Sequence, residues 1–356
     1  MTRVDERDTM FARMARRTGT AAYEDYYAEK PELKSADDHL RSRPGLMEPG
    51  GRHYDPMLSH EARAYFEQIE NLRADPTLVA GWLAKLERAS DRTSTLEEMF
   101  LALGAVAVAC TSVDEEFVYT HKGRLDEDYG RRIALEHDSV IVFLVEMDFE
   151  AMCRAPRAEV IRESARQYFE AARIAKIAEA VLRAHGAQAK AHFDAHYDLI
   201  LPPLAVKAGL GELGRNNILI ADRYGSRVRI GAVSTSLPLN YGSPVDLGVD
   251  HFCEICRKCA ENCPSRALSD TDKQAIRGVS KWPTNVERCY GYWRVLGTDC
   301  GICMAVCPFS HRNNSFHNLV RGLIRRFPWT HRLALACDDA LYGRAWREGP
   351  GSSAGA

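Results

Sequence analysis

Eight cysteines between residues 253 and 307 set out the first chemistry that this chain of 356 residues could perform. They fall as Cys253-x2-Cys256-x2-Cys259-x3-Cys263-Pro264, then as Cys289-x10-Cys300-x2-Cys303-x3-Cys307-Pro308. The first run is the bacterial ferredoxin pattern, in which tight turns aim three thiolates at one cubane while the fourth cysteine ligates the other cluster. By that rule two 4Fe-4S clusters with crossed ligands are expected, one on Cys253, Cys256, Cys259 and Cys307, the other on Cys263, Cys289, Cys300 and Cys303. Structural zinc is the competing use of clustered cysteines, but it takes two separated ligand pairs, which this succession does not provide. The ten-residue gap after Cys289 departs from ferredoxin spacing and implies an inserted loop beside the second cluster, able to shape a docking surface for another cofactor. The remaining Cys110, Cys153 and Cys337 read as small buried hydrophobes.

A second candidate lies at 204–217, LAVKAGLGELGRNN, where Gly209-x-Gly211-x-x-Gly214 satisfies the glycine pattern of a dinucleotide-binding loop. Such a loop must follow a strand, open a helix and meet an acidic residue about 20 positions later. Here Pro202-Pro203 blocks regular structure upstream, while residues 217–221 are β-branched and strand-like. The chain then turns through 222–226 and returns at 227–235, which predicts a β-hairpin. The glycines are expected either to let the backbone approach something flat or bulky, or to supply left-handed turns.

These residues need elements to hold them, and the rest of the sequence supplies candidates. Hydrophobic content of 46% and a net charge of −2 suit a globular protein with no global basic field to recruit nucleic acid or anionic lipid. The longest apolar run, 99–110, has 12 residues, short of the roughly 18 that span a membrane. With Ser94 and Glu97 ahead of it as a capping box, it is predicted to be a buried core helix. No membrane span is expected. The Arg16-Arg17 pair is followed by polar sequence without an apolar export region, and clustered thiols suit a reducing compartment, so a cytoplasmic location is expected. Residues 139–147 and 188–193 read as buried strands, and the apolar stripe from Val160 to Leu182 as a long helix ended by Gly186.

Interleaved helices and strands make residues from about 95 to 245 an α/β or α+β catalytic body. The expected plan is a charged, loop-rich extension over that body (1–75), a catalytic domain (76–245), a ferredoxin-like two-cluster module (246–315), and a C-terminal helical segment with a flexible tail (316–356). Residues 309–332, with several Arg and His, read as an amphipathic helix with a solvated basic face in preference to a donor-docking patch.

The successive phrases PPLAVKAGLGELGRNNILIADRYGSRVRIGAVSTSLPL, PVDLGVDHFCEICRKCAENCPSRALS, CYGYWRVLGTDCGICMAVCPFSH and CDDALYG resemble the corrinoid-dependent reductive dehalogenases. The likeness runs from about Asp38 to Gly343. It implies a nitroreductase-like α/β core holding a base-off cobalamin, fed with electrons by the two clusters, that removes halide from an organohalide, expected to be aromatic or phenolic. The glycine loop with Gly209, Leu210 and Gly211, together with Asp194 and His196, would border the corrinoid. A histidine ligand to cobalt is not implied, because the stretch DAHYDL at 194–199 lacks the glycine of an Asp-x-His-x-x-Gly motif.

Counting back from Gly186, the family's proton donor falls on Tyr168, and its basic partner, at the end of YGSRVR, falls on Arg229. Both residue types suit acid catalysis, since a tyrosine of ordinary pKa near 10 stays protonated at neutral pH, and a guanidinium beside it lowers the cost of its phenolate. Arg229 could also hold a substrate phenolate or carboxylate. Without the family register, Tyr168 would be a core residue on an apolar stripe and Arg229 a surface strand residue. No fused reductase domain is expected, and an external donor such as a ferredoxin or flavodoxin is implied. Two alternatives stand beside this reading. The related epoxyqueuosine reductases, which act on a modified tRNA nucleoside, use an aspartate near Asp194 as proton donor, and a two-cluster electron-transfer protein would use the α/β part only to dock partners.

Overall fold

The run SVIVFLVE forms the central strand that its composition predicts, and its alternating side chains enter two different cores. The computed structural model describes residues 3–277 and 279–347. Ahead of the first strand come helices α1 (Met10–Ala15), α2 (Ala21–Glu29), α3 (Pro31–Arg41), α4 (Pro56–Glu70), α5 (Pro76–Glu87) and α6 (Arg92–Ala102). Strands β1 (Ala107–Ser112) and β2 (Ser139–Glu146) follow, then α7 (Phe149–Met152), α8 (Ala158–Ala184), β3 (Ala189–His192), α9 (Leu201–Lys207), β4 (Gly211–Leu213), β5 (Leu219–Ala221) and β6 (Val228–Thr235).

The main sheet has the order β1-β2-β6-β3 and is antiparallel throughout. Ile141, Phe143 and Val145 face α8, with α5 and α6 contributing Leu86, Leu96 and Phe100 to the same core. Val140, Val142 and Leu144 face the opposite way onto Leu201, Leu204 and Ala205 of α9. The result is a mixed α/β arrangement of three layers. α8 has 27 residues, about 40 Å at 1.5 Å per residue, so one helix runs under the whole sheet and on to the cysteine-rich part of the chain. Gly231 of β6 pairs with Phe143, and a Cβ there would lie 2.3 Å from the Phe143 ring. Glycine at that position is what lets the ring lie across the strand.

The cysteine-rich region is built on α10 (Val249–Cys256), α11 (Lys258–Glu261), α12 (Val286–Leu296), α13 (Ile302–Ala305), α14 (Ser315–Arg326) and α15 (His331–Tyr342), with a small hairpin of β7 (Gln274–Ile276) and β8 (Val279–Lys281). Arg227, completely enclosed, ties it to the sheet by donating to the carbonyls of Ser310 (2.6 Å) and Met147 (2.7 Å) and to the Glu146 carboxylate (3.0 Å).

Several local expectations change. The first 75 residues are mostly helical, because Thr9, Thr20 and Asp55 cap α1, α2 and α4, and α4 joins the layer on α8. The run 99–110 is split: α6 starts at the Asp91 cap and ends at Ala102, Gly104 turns with φ +110°, and β1 begins at Ala107. Pro202 and Pro203 stand in the first turn of α9, where a missing N–H costs nothing. β5 pairs with β4, while β6 crosses into the main sheet, so the hairpin joins 211–213 to 219–221. The gap between Cys289 and Cys300 is not a loop, since Cys289 lies within α12. The amphipathic stretch 309–332 is broken at Phe327 between α14 and α15. Cys110 is buried, but Cys153 is half-buried and Cys337 exposed. The expected flexible tail, 348–356, lies outside the described residues.

N-terminal and cysteine-rich segments are stitched together at that gap. The amides of Met47, Arg52 and His53 donate to the carbonyls of Gly297, Val295 and Leu296 at 2.8, 3.0 and 2.8 Å. Gly51 meets Gly297 so closely that a Cβ on Gly51 would stand 2.5 Å from the Gly297 Cα. Met10 and Leu40 share a small core with Tyr290.

Candidate active site

The eight thiols of the cysteine module are buried or half-buried. Burial raises the pKa values of Cys256, Cys259 and Cys300 to about 12 and that of Cys289 to about 11, and neighbouring thiols raise these four further. Those mutual effects fall into sets. Cys253 feels Cys307, Cys259 and Cys256, whereas Cys300 feels Cys289 and Cys263. Cys303 feels Cys259 most among the thiols, where the two sets approach, and then Cys300, Cys289 and Cys263 of its own set. Among the described residues no three His, Cys, Asp or Glu side chains converge as one bound ion would require. Two groups of four thiols around a larger body fit a pair of cubanes, whose iron would keep the sulfurs deprotonated where bare thiolates would be costly.

Beside the second set a cleft of about 320 Å³ opens between α8, β6 and residues 193–202. Phe11, Tyr119, Phe193 and Tyr197 supply aromatic walls, and Leu199, Leu201, Ile218 and Leu219 aliphatic ones. Its polar corner holds Tyr168, Arg229, Asp194 and Arg124. Tyr168 comes from α8 and Arg229 from the α8-facing side of β6, opposite Val145. The Arg229 guanidinium lies 4.8 Å from the Tyr168 ring centre, a cation–π contact. Burial pushes the Tyr168 phenol above its ordinary pKa; Arg229 and Arg124 oppose the shift, and Asp194 and Asp299 add to it. The result is a phenol held firmly neutral beside a cation.

Arg229 is itself held from behind. It donates from Nη2 to the Ser164 hydroxyl (2.6 Å), Ser164 donates to Asp299 (2.6 Å), and Arg229 stands 3.6 Å from the same carboxylate. Its Nε is buried without a partner among the described residues. Burial raises the Asp299 pKa, while Arg229 and the Ser164 hydroxyl work the other way. Across the cleft Asp194 ion-pairs with Arg124 at 3.6 Å. Burial works against the Arg124 charge, but Asp194 and Tyr197 outweigh it and raise its pKa. The Tyr197 phenol is pushed up to about 12, chiefly by burial.

Sequence reasoning pointed to Tyr168, Arg229 and Asp194, and the structure brings these three together. It does not bring His196 in: that ring bonds to Glu70 of α4 (3.1 Å) and rests against Phe193. Nor do Gly209, Leu210 and Gly211 line the cleft. A Cβ on Gly209 would stand 2.4 Å from the Ser243 carbonyl oxygen and one on Gly211 2.3 Å from that of Ile220, so these glycines make room for the chain's own backbone. Ser164, Asp299, Arg124 and Tyr197 were missed. Ser164 lies one helical turn before Tyr168 and Asp299 directly precedes Cys300, signals that the stronger motifs around them obscured. A wider hollow of about 630 Å³ at the β3 edge, lined by His137, Lys190 and Asp198 among others, contains none of the sequence candidates.

Residues 252–311 match the 4Fe-4S dicluster domain family. The chain is 40% identical over 147 residues to the tetrachloroethene reductive dehalogenase of Sulfurospirillum multivorans, covering 39% of this chain and 29% of that protein. It is 33% identical over 215 residues to a tetrachloroethene reductive dehalogenase of Desulfitobacterium hafniense, covering 57% of this chain and 38% of that one. An epoxyqueuosine reductase of Lactococcus garvieae is 30% identical over 130 residues, 32% of this chain and 33% of that protein. Among solved structures, a catabolic reductive dehalogenase in complex with 3-bromo-4-hydroxybenzoic acid superposes with a TM-score of 0.70 at 24% identity, over 97% of this chain and 47% of that one. The aligned regions thus span well under two thirds of these proteins.

Proposed function

We propose, from the premise that this chain is a homologue of the reductive dehalogenases, that it removes halide from an organohalide by a two-electron reduction coupled to uptake of one proton. The observation that carries the proposal is the neutral phenol of Tyr168 against Arg229 in the polar corner of an apolar cleft, with Asp299, the residue before Cys300, 3.6 Å behind that guanidinium. A halogenated aromatic or phenolic substrate suits the cleft: its volume is at the small-ligand end of the roughly 300–1,000 Å³ usual for such sites, its walls are aromatic, and it carries two guanidinium groups for an anionic substituent. The solved relative's complex with a brominated hydroxybenzoic acid agrees in substrate class.

The lining fits a corrinoid bound without a protein ligand to its metal, because neither His nor Cys faces the cleft among the described residues and the walls are apolar. Leu199, Leu201, Pro202, Ile218 and Leu219 would border one face of it, with the nitroreductase-like core as its support and Asp194 at the polar edge, while the cleft of about 320 Å³ is itself sized for the substrate and not for the whole macrocycle. When bound, a base-off corrinoid supplies the low-potential electrons that weaken a carbon–halogen bond, and two 4Fe-4S clusters on the eight cysteines supply single-electron carriers fed by an external ferredoxin or flavodoxin. The chain's own residues do the rest. Tyr168 holds a proton on Oη and delivers it to the carbon that loses halide. Arg229 offsets the phenolate left behind, and Ser164 and Asp299 keep that guanidinium in place. The aromatic walls exclude water, so that the proton comes from one fixed donor. A cytoplasmic setting suits thiols that must stay reduced.

A second reading, an epoxyqueuosine-type reduction, is favoured by the one observation that Asp194 faces the same cleft. The test is halide release from 3-bromo-4-hydroxybenzoate by protein produced anaerobically with cobalamin, alongside cobalt and iron content per chain. Release that is lost in Tyr168→Phe and persists in Asp194→Asn supports the dehalogenase reading. A cobalt-loaded protein that releases no halide from this or from chlorinated ethenes sinks it.

A further inference from the structure

From Cys300 to Cys337 the sequence contains no Asp or Glu, yet it carries Arg312, Arg321, Arg325, Arg326 and Arg332 in a chain whose net charge is −2. After α13 this segment forms α14 and the first half of α15, whose outer side is also apolar. Phe316 is 54% exposed, Leu319 63%, Trp329 76% and Leu333 61%, well beyond scattered surface hydrophobics. Arg325, Arg326 and Arg332 are exposed and make no ion pair among the described residues, whereas Arg312 pairs with Glu150 and Arg321 is turned inward onto the carbonyls of Phe309 and His311. The nearby carboxylates of Glu261 and Asp339 are both engaged by Arg344.

The inner side of the same helices explains where this face sits. Val320, Ile324, Ala334 and Leu335 pack on the core that contains Cys256, Cys307 and Cys253. The exposed face is therefore about one helix diameter, roughly 10 Å, from the first thiol set. The second set is tied to the cleft by Asp299, which directly precedes Cys300 and stands 3.6 Å from Arg229 of the cleft lining; of the first set, Cys259 shares a small core with Cys300 and Cys303 and is its inward member. The first set is thus the outer one, and the apolar, arginine-bearing face covers it.

We infer that the outer face of α14 and the start of α15 docks a small acidic iron–sulfur protein that delivers single electrons to the cluster held by Cys253, Cys256, Cys259 and Cys307. In each encounter the donor is oxidised by one electron and the cluster is reduced by one, with no bond or proton transferred. Charge complementarity selects this occupant. A second copy of the chain would set these arginines against themselves, and an anionic lipid surface would satisfy the charge but gain nothing from the placement over a thiol set. An apolar centre with a charged rim is the anatomy of a transient protein interface. The inference rests on the two-cluster part of the function proposed above and is independent of the substrate.

The test uses the iron-loaded protein and a recombinant acidic 2Fe-2S ferredoxin, reduced beforehand, with stopped-flow bleaching of the cluster absorbance as readout. The charge reversal Arg325→Glu with Arg326→Glu should lower the second-order rate constant at least tenfold, and added salt should lower the wild-type rate in the same direction. Reduction by dithionite should not change, nor should the ferredoxin rate in Arg88→Glu, an exposed cation in another helical region. Trp329→Ala should weaken ferredoxin binding severalfold by calorimetry. Equal ferredoxin rates in wild type and the charge-reversed variant would overturn the inference. So would wild-type flotation with phosphatidylglycerol vesicles that the charge reversal abolishes while leaving the ferredoxin rate untouched, because the face would then be a lipid surface. A protein that is reduced normally by ferredoxin but releases no halide would count against the proposed substrate chemistry and leave the docking face standing.

Discussion

Tyr168 is placed by the helix it grows from, but its chemistry is set by groups from elsewhere in the chain. Phe66 of α4 leans on its ring at 6.2 Å, Arg229 covers it, and Asp194 faces it across the cleft. Replacing it with Phe removes the proton and little else, so turnover should fall by about 10²–10⁴ while iron content and cluster absorbance stay at wild-type levels. Because burial raises the phenol's pKa above its ordinary value near 10, and the proposed donor would act in its protonated form, turnover should hold level from neutral pH to about pH 9.5. A rate profile that falls with a midpoint near pH 8 would mean a different acid. Ser164→Ala takes away the hydroxyl between Arg229 and Asp299, a charge-assisted link of the kind that contributes about 1.5–3 kcal/mol. Turnover should drop roughly ten- to a hundredfold, and Ser164→Thr, which keeps the hydroxyl, should recover most of it, whereas a merely structural role would lower thermal stability without that rescue. Spacing made the cysteines legible, and family phrasing made Tyr168 and Arg229 so. Arg124 was not legible: it comes from a loop with no periodicity, and only the fold carries it to Asp194.

At the level of elements, burial was easier to read than partnership. Residues 139–147 announce themselves as a strand by the apolar run 140–145 and residues 188–193 by alternation, but nothing local in 219–235 says that β5 turns back to β4 while β6 goes between β2 and β3, because strand pairing is decided by contacts remote in sequence. The same limit hid Gly231, whose purpose appears only opposite Phe143. Gly231→Ala should cost about 1–3 kcal/mol in chemical denaturation, and Phe143→Leu in the same chain should return part of that loss. β3 carries a further load. His192 is wholly enclosed, accepts from the Asp198 amide at 3.2 Å and meets the Ser234 hydroxyl at 2.8 Å; burial lowers its pKa to about 3. In the unfolded chain it would take up a proton near pH 6.5, so between these values the unfolded state binds more protons and stability falls as pH falls. Denaturation at pH 7 and pH 5 should show that loss, and His192→Asn should flatten it; an unchanged slope would place the acid sensitivity elsewhere.

In the whole molecule, the first 75 residues were the least legible part. Their charge suggested surface loops, and the caps at Thr9, Thr20 and Asp55 are individually weak signals that gain meaning only when helices have something to pack on. What they pack on includes α12, through Met10, Leu40 and Tyr290, and the strap at Met47, Arg52 and His53 bonds to the residues between Cys289 and Cys300. Removing iron with a chelator should therefore loosen both partners, and limited proteolysis of iron-free protein should cut within 42–55 faster than in the loaded form. No helix among the described residues is long and apolar enough to cross a membrane. The strap also bears on inheritance and engineering. A segment far ahead of the main sheet bonds to the stretch between Cys289 and Cys300, so residues 252–311 are not a cassette that can be exchanged between relatives by cutting at their own borders. A working chimera would have to carry the matching stretch around Gly51 with it, and natural recombination in this lineage should have left the two tracts travelling together.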